Sequence, residues 1–185
     1  MTFPRLLAGD YHLEERMMLH ISHLRCGKVL DEWEVLNEVV VCRGEMVRPV
    51  NLVARVEGYT LASYVADGLI ASTPTGSTAY ALAVDGPVLP PELRNILLVP
   101  IAPHMSFDRA IVLSEGAEVN ITVQTRHDAV LSADGQPPVK VVNGDEVLVK
   151  ASAHPARFIR FQDPGYFYRT LNQYTEQTPR TYGDT

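Results

Sequence analysis

Apolar positions in this chain fall in short, mostly β-branched runs separated by Gly, Pro and Asn, a texture of strands rather than helices. Between Leu13 and His23 the residues alternate imperfectly, with Leu13, Arg16, Met18, His20 and Ser22 set against Glu14, Met17, Leu19 and Ile21, as in a half-buried strand. Val35 to Cys42 reads as an interior strand, because Val39, Val40 and Val41 are consecutive and branched. Leu52–Val56 and Thr60–Ala66 flank Glu57-Gly58-Tyr59 and predict a hairpin. Further strands are expected at Ile96–Ile101, Ala110–Leu113, Glu118–Thr125, Ala129–Ala133, Val139–Val142, Glu146–Ala151 and Arg157–Arg160, with a turn at Asn143-Gly144-Asp145. Helices are scarce. One short helix follows Gly76, from Ser77 to Val84, and another runs from Phe167 to Tyr174. About ten or more short strands at nearly regular spacing predict a mainly β fold, a sandwich or a barrel. The polar stretch Glu176–Thr185 reads as a disordered tail, leaving 1–175 as one domain.

Composition narrows the class. A chain of 185 residues suits one domain and needs no disulfide or structural metal. A net charge of −6 argues against a nucleic-acid groove, although a few backbone amides and one arginine can still hold a small anion. No run approaches the roughly 20 apolar residues of a membrane span, and the early Pro4 makes the N-terminus a poor secretory signal. Cys26 and Cys42 stand in unlike contexts without a cysteine or histidine at ligand spacing. That predicts reduced thiols, a cytoplasmic home and no zinc.

Three segments carry candidate chemistry. From Asp67 to Tyr80 an apolar strand end enters a turn of hydroxyl residues and Gly76, where a helix begins. Ser77 or Thr75 is expected to cap that helix, leaving first-turn amides free for a carboxylate, ribose hydroxyl or phosphate. It is not a Walker loop, since no lysine follows the glycine. Asn37-Glu38 precedes a hydrophobic strand, and the pair could grip an adenine edge and a ribose diol, the carboxylate accepting two hydroxyl hydrogen bonds. Asp134-Gly135-Gln136 has the composition of a hairpin turn. Each has a bland reading: an ordinary cap, a solvated pair, a plain turn. His104 reads as structural, Met17 and Met18 as core filling, and no histidine completes a triad.

Set in order, these segments resemble the NAD kinase family. The resemblance rests on Gly9-Asp10-Tyr11 with Glu14 to Leu19, then Leu36 to Val41, then Ala66-Asp67-Gly68-Leu69-Ile70 running into Thr73 to Tyr80. Pro100 to His104, Asp134-Gly135-Gln136 and Tyr166 to Leu171 follow, so the likeness extends from about Leu7 to Tyr174. It implies the C-terminal, NAD-binding β-sandwich domain of an enzyme that transfers the ATP γ-phosphate to the adenosine-ribose 2′-hydroxyl of NAD, giving NADP. It further implies a homo-oligomer, dimer or tetramer. Asn37 and Glu38 match the family's Asn-Glu motif, which holds adenosine and its ribose. Asp67 matches the acidic residue on the nicotinamide side, often reached across a subunit boundary. Thr75, Thr78, Ala79 and Tyr80, with Ala81, Leu82 and Ala83, match the loop and helix start that cradle the dinucleotide. Arg48, Asp134 and Gln136 stand where the family also makes contacts.

The departures are specific. The family's Gly-Gly-Asp-Gly-Thr motif, whose aspartate activates the ribose hydroxyl and whose glycines approach ATP, has no counterpart in the sequence. No catalytic or metal-binding residue is therefore expected here, and ATP with Mg²⁺ would belong to an N-terminal domain outside the chain. Ala83 stands where serine is common, and Val84-Asp85-Gly86 where two glycines are usual. Two readings follow: part of an NAD kinase, inactive alone, or a stand-alone module that binds NAD or NADP and assembles without transferring phosphate. A related lipid kinase lacks support from Asn37-Glu38 and the Thr75–Tyr80 loop.

Overall fold

In the computed structural model, residues 3–45, 48–104, 107–163 and 165–176 are described. The chain opens with a short helix α1 (Phe3–Leu7) and strands β1 (His12–Arg16), β2 (Leu19–Arg25), β3 (Lys28–Val35), β4 (Glu38–Arg43), β5 (Val50–Val56), β6 (Tyr59–Ala66) and β7 (Gly68–Ser72). A 3₁₀ turn (Gly76–Thr78) and helix α2 (Tyr80–Ala83) come next. Strands β8 (Asn95–Ile101), β9 (Ile111–Ser114), β10 (Val119–Val123), β11 (Ala129–Ala133), β12 (Val139–Val141), β13 (Glu146–Ala151) and β14 (Ala156–Arg160) precede helix α3 (Tyr166–Glu176). The fold is mainly β, as the residue pattern predicts.

Two compact units divide it: Arg16–Ala156, and a smaller one drawn from Met1–Glu15 with Arg157–Thr185. In the smaller unit β1 and β14 form a two-stranded sheet. Arg157 pairs with Glu15 at 2.9 Å and Arg160 with Glu14 at 3.1 Å, while Tyr11 meets the Phe161 ring edge-on. The expected C-terminal helix is present, extended at both ends to Tyr166–Glu176. Glu176, expected to open a disordered tail, closes this helix, and the rest of that tail, 177–185, lies outside the described residues.

The larger unit is a sandwich of two six-stranded sheets, ordered β3-β2-β13-β10-β5-β6 and β12-β11-β4-β7-β8-β9. Their inner faces supply one core, with Leu19, Ile21, Leu52, Ile121 and Val149 from the first sheet and Val39, Val41, Leu69, Leu98 and Leu131 from the second. A smaller cluster covers the other face of β4, β7 and β8. There Val40, Ile70, Leu97 and Val99 pack with Ala81 of α2, and Val84 and Leu89 close over them. Strands buried on both faces read as unbroken apolar runs, which is why Val39-Val40-Val41 and Leu97-Leu98-Val99 stand out. Segments of this same chain cover those runs.

Three expectations need correction. The single strand from Leu13 to His23 is two, β1 and β2, parted at Met17-Met18; Met17 is buried and the Met18 carbonyl accepts from Ser152 N–H. The strand expected from Val35 to Cys42 breaks at Leu36-Asn37, where β3 ends and β4 begins. Lys28–Val35, absent from the expected list, is edge strand β3; its Asp31, Glu32 and Glu34 hide the period. The β5–β6 hairpin is as expected and turns through Glu57 and Gly58, both at positive φ (51° and 82°), the conformation of a type I′ turn.

Candidate functional site

Sheet register brings most of the expected site residues to one end of the second sheet. Glu38, the first residue of β4, lies opposite Ser72, the last of β7, and Val39 lies opposite Ala133 of β11. Three segments distant in sequence therefore meet there: Leu36-Asn37-Glu38, the Thr73–Tyr80 loop and the turn at Asp134.

Backbone bonds hold Leu36–Glu38 from two sides. The Asp134 carboxylate accepts the Leu36, Asn37 and Glu38 N–H groups at 2.7, 2.9 and 3.0 Å, and Asp134 N–H returns a bond to the Glu38 carbonyl. From the other side Thr73 Oγ1 donates to the Leu36 carbonyl at 2.6 Å, while Thr73 N–H and Ser72 Oγ donate to the Asn37 carbonyl. Polar backbone is thus satisfied without water. The side chains of Asn37 and Glu38 remain for other work.

The loop's hydroxyls are mostly consumed inside it. The expected cap by Ser77 or Thr75 is not what forms: Thr73 Oγ1 accepts from Gly76 N–H. Ser77 is fully buried, donating to the Pro74 carbonyl and accepting from Leu89 N–H. It belongs to the scaffold. Thr75 Oγ1 accepts from Arg16 at 3.2 Å, and Thr78 Oγ donates back to the Thr75 carbonyl. The expected helix from Ser77 to Val84 is instead the 3₁₀ turn followed by α2, with no side-chain cap on either. Along it Thr78, Ala79, Tyr80, Leu82 and Ala83 are exposed, and Ala81 points into the outer core.

Glycine is required at position 76. A Cβ there would stand 2.3 Å from the Asn37 carbonyl oxygen and 2.5 Å from Ser72 Oγ, closer than any real contact. Gly76→Ala should therefore force the loop off the Asn37 segment and cost about 1–3 kcal/mol in denaturant unfolding. Gly116→Ala, where a Cβ meets nothing within 4 Å, should leave the midpoint nearly unchanged.

Glu38 is the electrostatic centre of this end. Only 9 % exposed, it has one carboxylate oxygen, Oε2, buried and without a hydrogen-bond partner. Burial pushes its carboxyl above the usual carboxylate range; the negative charge of Asp134 adds to this, and the Tyr80 backbone amide works against it. Such an acceptor suits a ligand bringing hydroxyl donors. Tyr80, 43 % exposed and distant in sequence, comes beside Glu38 through its backbone amide.

Two expected residues stand elsewhere. Asp67 precedes β7 and so lies at the opposite end of that strand from Thr73, about 20 Å away along an extended chain. It pairs with Arg43 at 3.1 Å and has His104 at 4.0 Å. Arg48 is exposed and lines a broad groove with Arg126, Lys140 and Asn143, between the β4–β5, β10–β11 and β12–β13 connections. Gln136 is exposed beyond the Asp134 turn, its carbonyl accepting from Ser132 Oγ. The residues missed by sequence reasoning are Arg16, Ser72 and Thr73, which brace the site. A hydroxyl pair beside the loop is the only signal that could have found the last two.

Residues 36–161 match the family model described as the ATP-NAD kinase C-terminal domain. An NAD kinase of Heliobacterium modesticaldum is 42% identical over 177 residues, covering 95% of this chain and 62% of its own length. One of Citrifermentans bemidjiense is 42% identical over 168 residues, 90% of this chain and 58% of its own. The chain thus spans about 60% of the curated relatives it matches. Among solved structures, yeast NADH kinase complexed with NADH superposes with a TM-score of 0.86 at 24% identity, over all of this chain and 54% of that one. An NAD kinase from Archaeoglobus fulgidus in complex with ATP gives 0.76 at 25% identity, over 94% of this chain and 64% of that one.

Proposed function

The chain belongs to the ATP-NAD kinase C-terminal domain family, and from that premise we propose that it is the part of an NAD kinase that holds NAD for phosphorylation. The observation that carries this reading is the buried, unpartnered Oε2 of Glu38. A ribose diol bound there donates two hydroxyl hydrogen bonds to one carboxylate, and the neighbouring Asn37 amide is free to read the adenine edge. Tyr80, with Thr75, Thr78, Ala79 and the exposed Leu82 and Ala83, forms the wall along which the dinucleotide lies.

In the whole enzyme the ribose 2′-oxygen attacks the γ-phosphorus of ATP. A new P–O bond forms, the bond to the β–γ bridging oxygen breaks, ADP leaves, and the hydroxyl proton passes to a base. Positioning and charge stabilisation dominate such transfers. This chain supplies the positioning of the acceptor. The family's Gly-Gly-Asp-Gly-Thr motif has no counterpart in the sequence, and on that ground Mg²⁺, the ATP cradle and the base are assigned to a domain outside the chain. Asp67 and Glu38 stand at opposite ends of β7, which supports the reading, implied by the family resemblance, that Asp67 meets the nicotinamide side across a subunit boundary. A homodimer or homotetramer is part of the proposal on that ground. Edge strand β6, with Tyr59, Leu61 and Val65 outward and exposed, offers one contact surface.

Calorimetric titration tests the reading. NAD should bind the parent chain, and Asn37→Ala should weaken binding about fivefold or more, the worth of a side-chain hydrogen bond or two. Mixed with NAD, ATP and Mg²⁺, the chain alone should form no NADP; turnover of about 1–100 s⁻¹ would overturn the division of labour. Absence of NAD binding would overturn the site itself. A stand-alone binding module predicts the same titration, and differs in that no kinase activity returns when the ATP-binding part of a relative is supplied.

A further inference from the structure

Every backbone polar group of the Asn37–Glu38 corner is tied to something, and one side chain does the larger share of the tying. Asp134 lies 96 to 98 positions away in sequence, yet its two carboxylate oxygens take three consecutive amides, Oδ2 from Leu36 and Oδ1 from both Asn37 and Glu38. Its own N–H closes the loop on the Glu38 carbonyl at 2.9 Å. Asp134 reaches this position with φ at 45°, in a turn completed by Gly135 at 68°. Asp tolerates that region better than most residues.

Successive amides converging on one anion form a nest. Nests usually receive a ligand's anion; here the protein's own carboxylate fills it. With its lone pairs so engaged, Asp134 has little left to offer an incoming hydroxyl or adenine. Resemblance placed it among the dinucleotide contacts, and the geometry argues for a different role.

We propose that Asp134 is a positioning residue: it fills the nest at Leu36–Glu38 and thereby sets where the Glu38 carboxylate and the Asn37 amide present themselves to the ribose and adenine, without touching either. This rests on the assignment of NAD to the Glu38 site. Thr73 and Ser72 hold the carbonyls of the same corner, so Asp134 completes a clamp whose other jaw is the Thr73–Tyr80 loop. The negative charge of Asp134 also bears on Glu38, adding to the burial that favours its protonated form. Bound hydroxyls, donating to Glu38, relieve both.

The test is amide hydrogen exchange combined with NAD titration on the full chain, in the parent, Asp134→Asn, Glu38→Gln and the double variant. Asp134→Asn keeps the shape but replaces a charged acceptor by a donor. Exchange at Asn37 and Glu38 should quicken by about tenfold or more, and NAD affinity should fall by a similar factor, since charge-assisted bonds are lost. Circular dichroism fixes the folded fraction for each variant. Adding Glu38→Gln to Asp134→Asn should then weaken NAD little further, because the carboxylate is already displaced; contacting or interlinked residues are non-additive in this way. Unchanged exchange and affinity in Asp134→Asn would overturn the proposal. So would lost affinity with unchanged exchange and a full additive loss from Glu38→Gln, which is the behaviour of a direct ligand contact. Should the parent bind no NAD, the functional reading fails, and the exchange rates alone decide whether Asp134 holds the nest. Should Asp134→Asn fail to fold, the parent carries the test. Its Leu36–Glu38 amides should keep or gain protection when NAD is added, whereas an aspartate leaving them for the ligand would expose them.

Discussion

Asp145→Asn should cost about 3 kcal/mol of folding stability and flatten the acid limb of the stability profile. Asp145 is fully buried in the turn just before β13, and its carboxylate receives Arg25 through Nε and Nη2, both at 2.8 Å. His23 Nε2 lies 2.9 Å from Oδ2, and Val142 N–H donates to the same oxygen at 2.9 Å. Burial alone would push this carboxyl up, but Arg25, the Val142 amide and His23 together outweigh it and hold it well below the usual carboxylate range. Breaking a buried pair by removing one charge costs about 3–5 kcal/mol. The low end applies because Arg25 is partly exposed and can turn to water. The native state binds fewer protons than the unfolded chain between the depressed value and an unfolded carboxylate value of about 3.9. The parent's stability from this group is therefore complete above that window and lost as pH falls through it. Urea unfolding of both chains at several pH values measures this directly. At neutral pH the variant should be weaker by nearly the full amount, and the gap should begin to narrow only as pH falls below the unfolded carboxylate value of about 3.9. Asp128→Asn, which removes an exposed pair with Lys140, should shift the midpoint little. An Asp145→Asn chain as stable as the parent would mean that Arg25 and His23 do not engage it in solution.

The Asp145 cluster also shows where sequence reasoning stops. Asn143-Gly144-Asp145 is legible as a turn, since Asn and Gly accept positive φ and Gly144 has it at 87°. That the aspartate faces inward, to residues about 120 positions earlier, is a product of β13 pairing with β2. The same holds at the candidate site. Strands β4 and β8 could be read because burial on both faces leaves long apolar runs, and the hairpin at Glu57-Gly58 because its turn chemistry is local; β7 shows only as an apolar strand end before the loop. Strand β3 could not, since an exposed edge strand carries charges at the positions where a period would show. Thr73, Ser77 and Thr75 look alike as letters, and only packing separates a buried brace from a loop hydroxyl. Asn37-Glu38 and Asp134 stand out through the family resemblance, but the nest of three amides around Asp134 could not be read, because it exists only after β4 and β11 pair.

Glu38→Gln should make the free protein more stable at neutral and alkaline pH while weakening its hold on NAD. The parent buries a carboxylate with an orphan oxygen, and both that burial and the charge of Asp134 favour the protonated form. The folded value therefore lies above the unfolded one of about 4.3, and the native state binds more protons than the unfolded chain across that window. Stability of the parent must then fall as pH rises through the raised value, the reverse of the Asp145 case. A neutral amide of the same shape has no such slope. The variant should gain on the parent with rising pH, reaching about 1 kcal/mol near pH 8, the scale of one unsatisfied buried group. In the ligand assay the order inverts. Glu38→Ala removes both ribose acceptors and should weaken NAD about tenfold or more, charge-assisted bonds being worth roughly 1.5–3 kcal/mol each. Glu38→Gln keeps one acceptor oxygen and should lose less. Parent affinity should itself rise with pH through the raised value, because the ionised carboxylate is the form that accepts both hydroxyls. Thermal unfolding and NAD titration at pH 5, 6.5 and 8 separate the outcomes. If Glu38→Gln is less stable than the parent at pH 8, Oε2 already has a partner in the free protein. That oxygen could not then be what recognises the ribose.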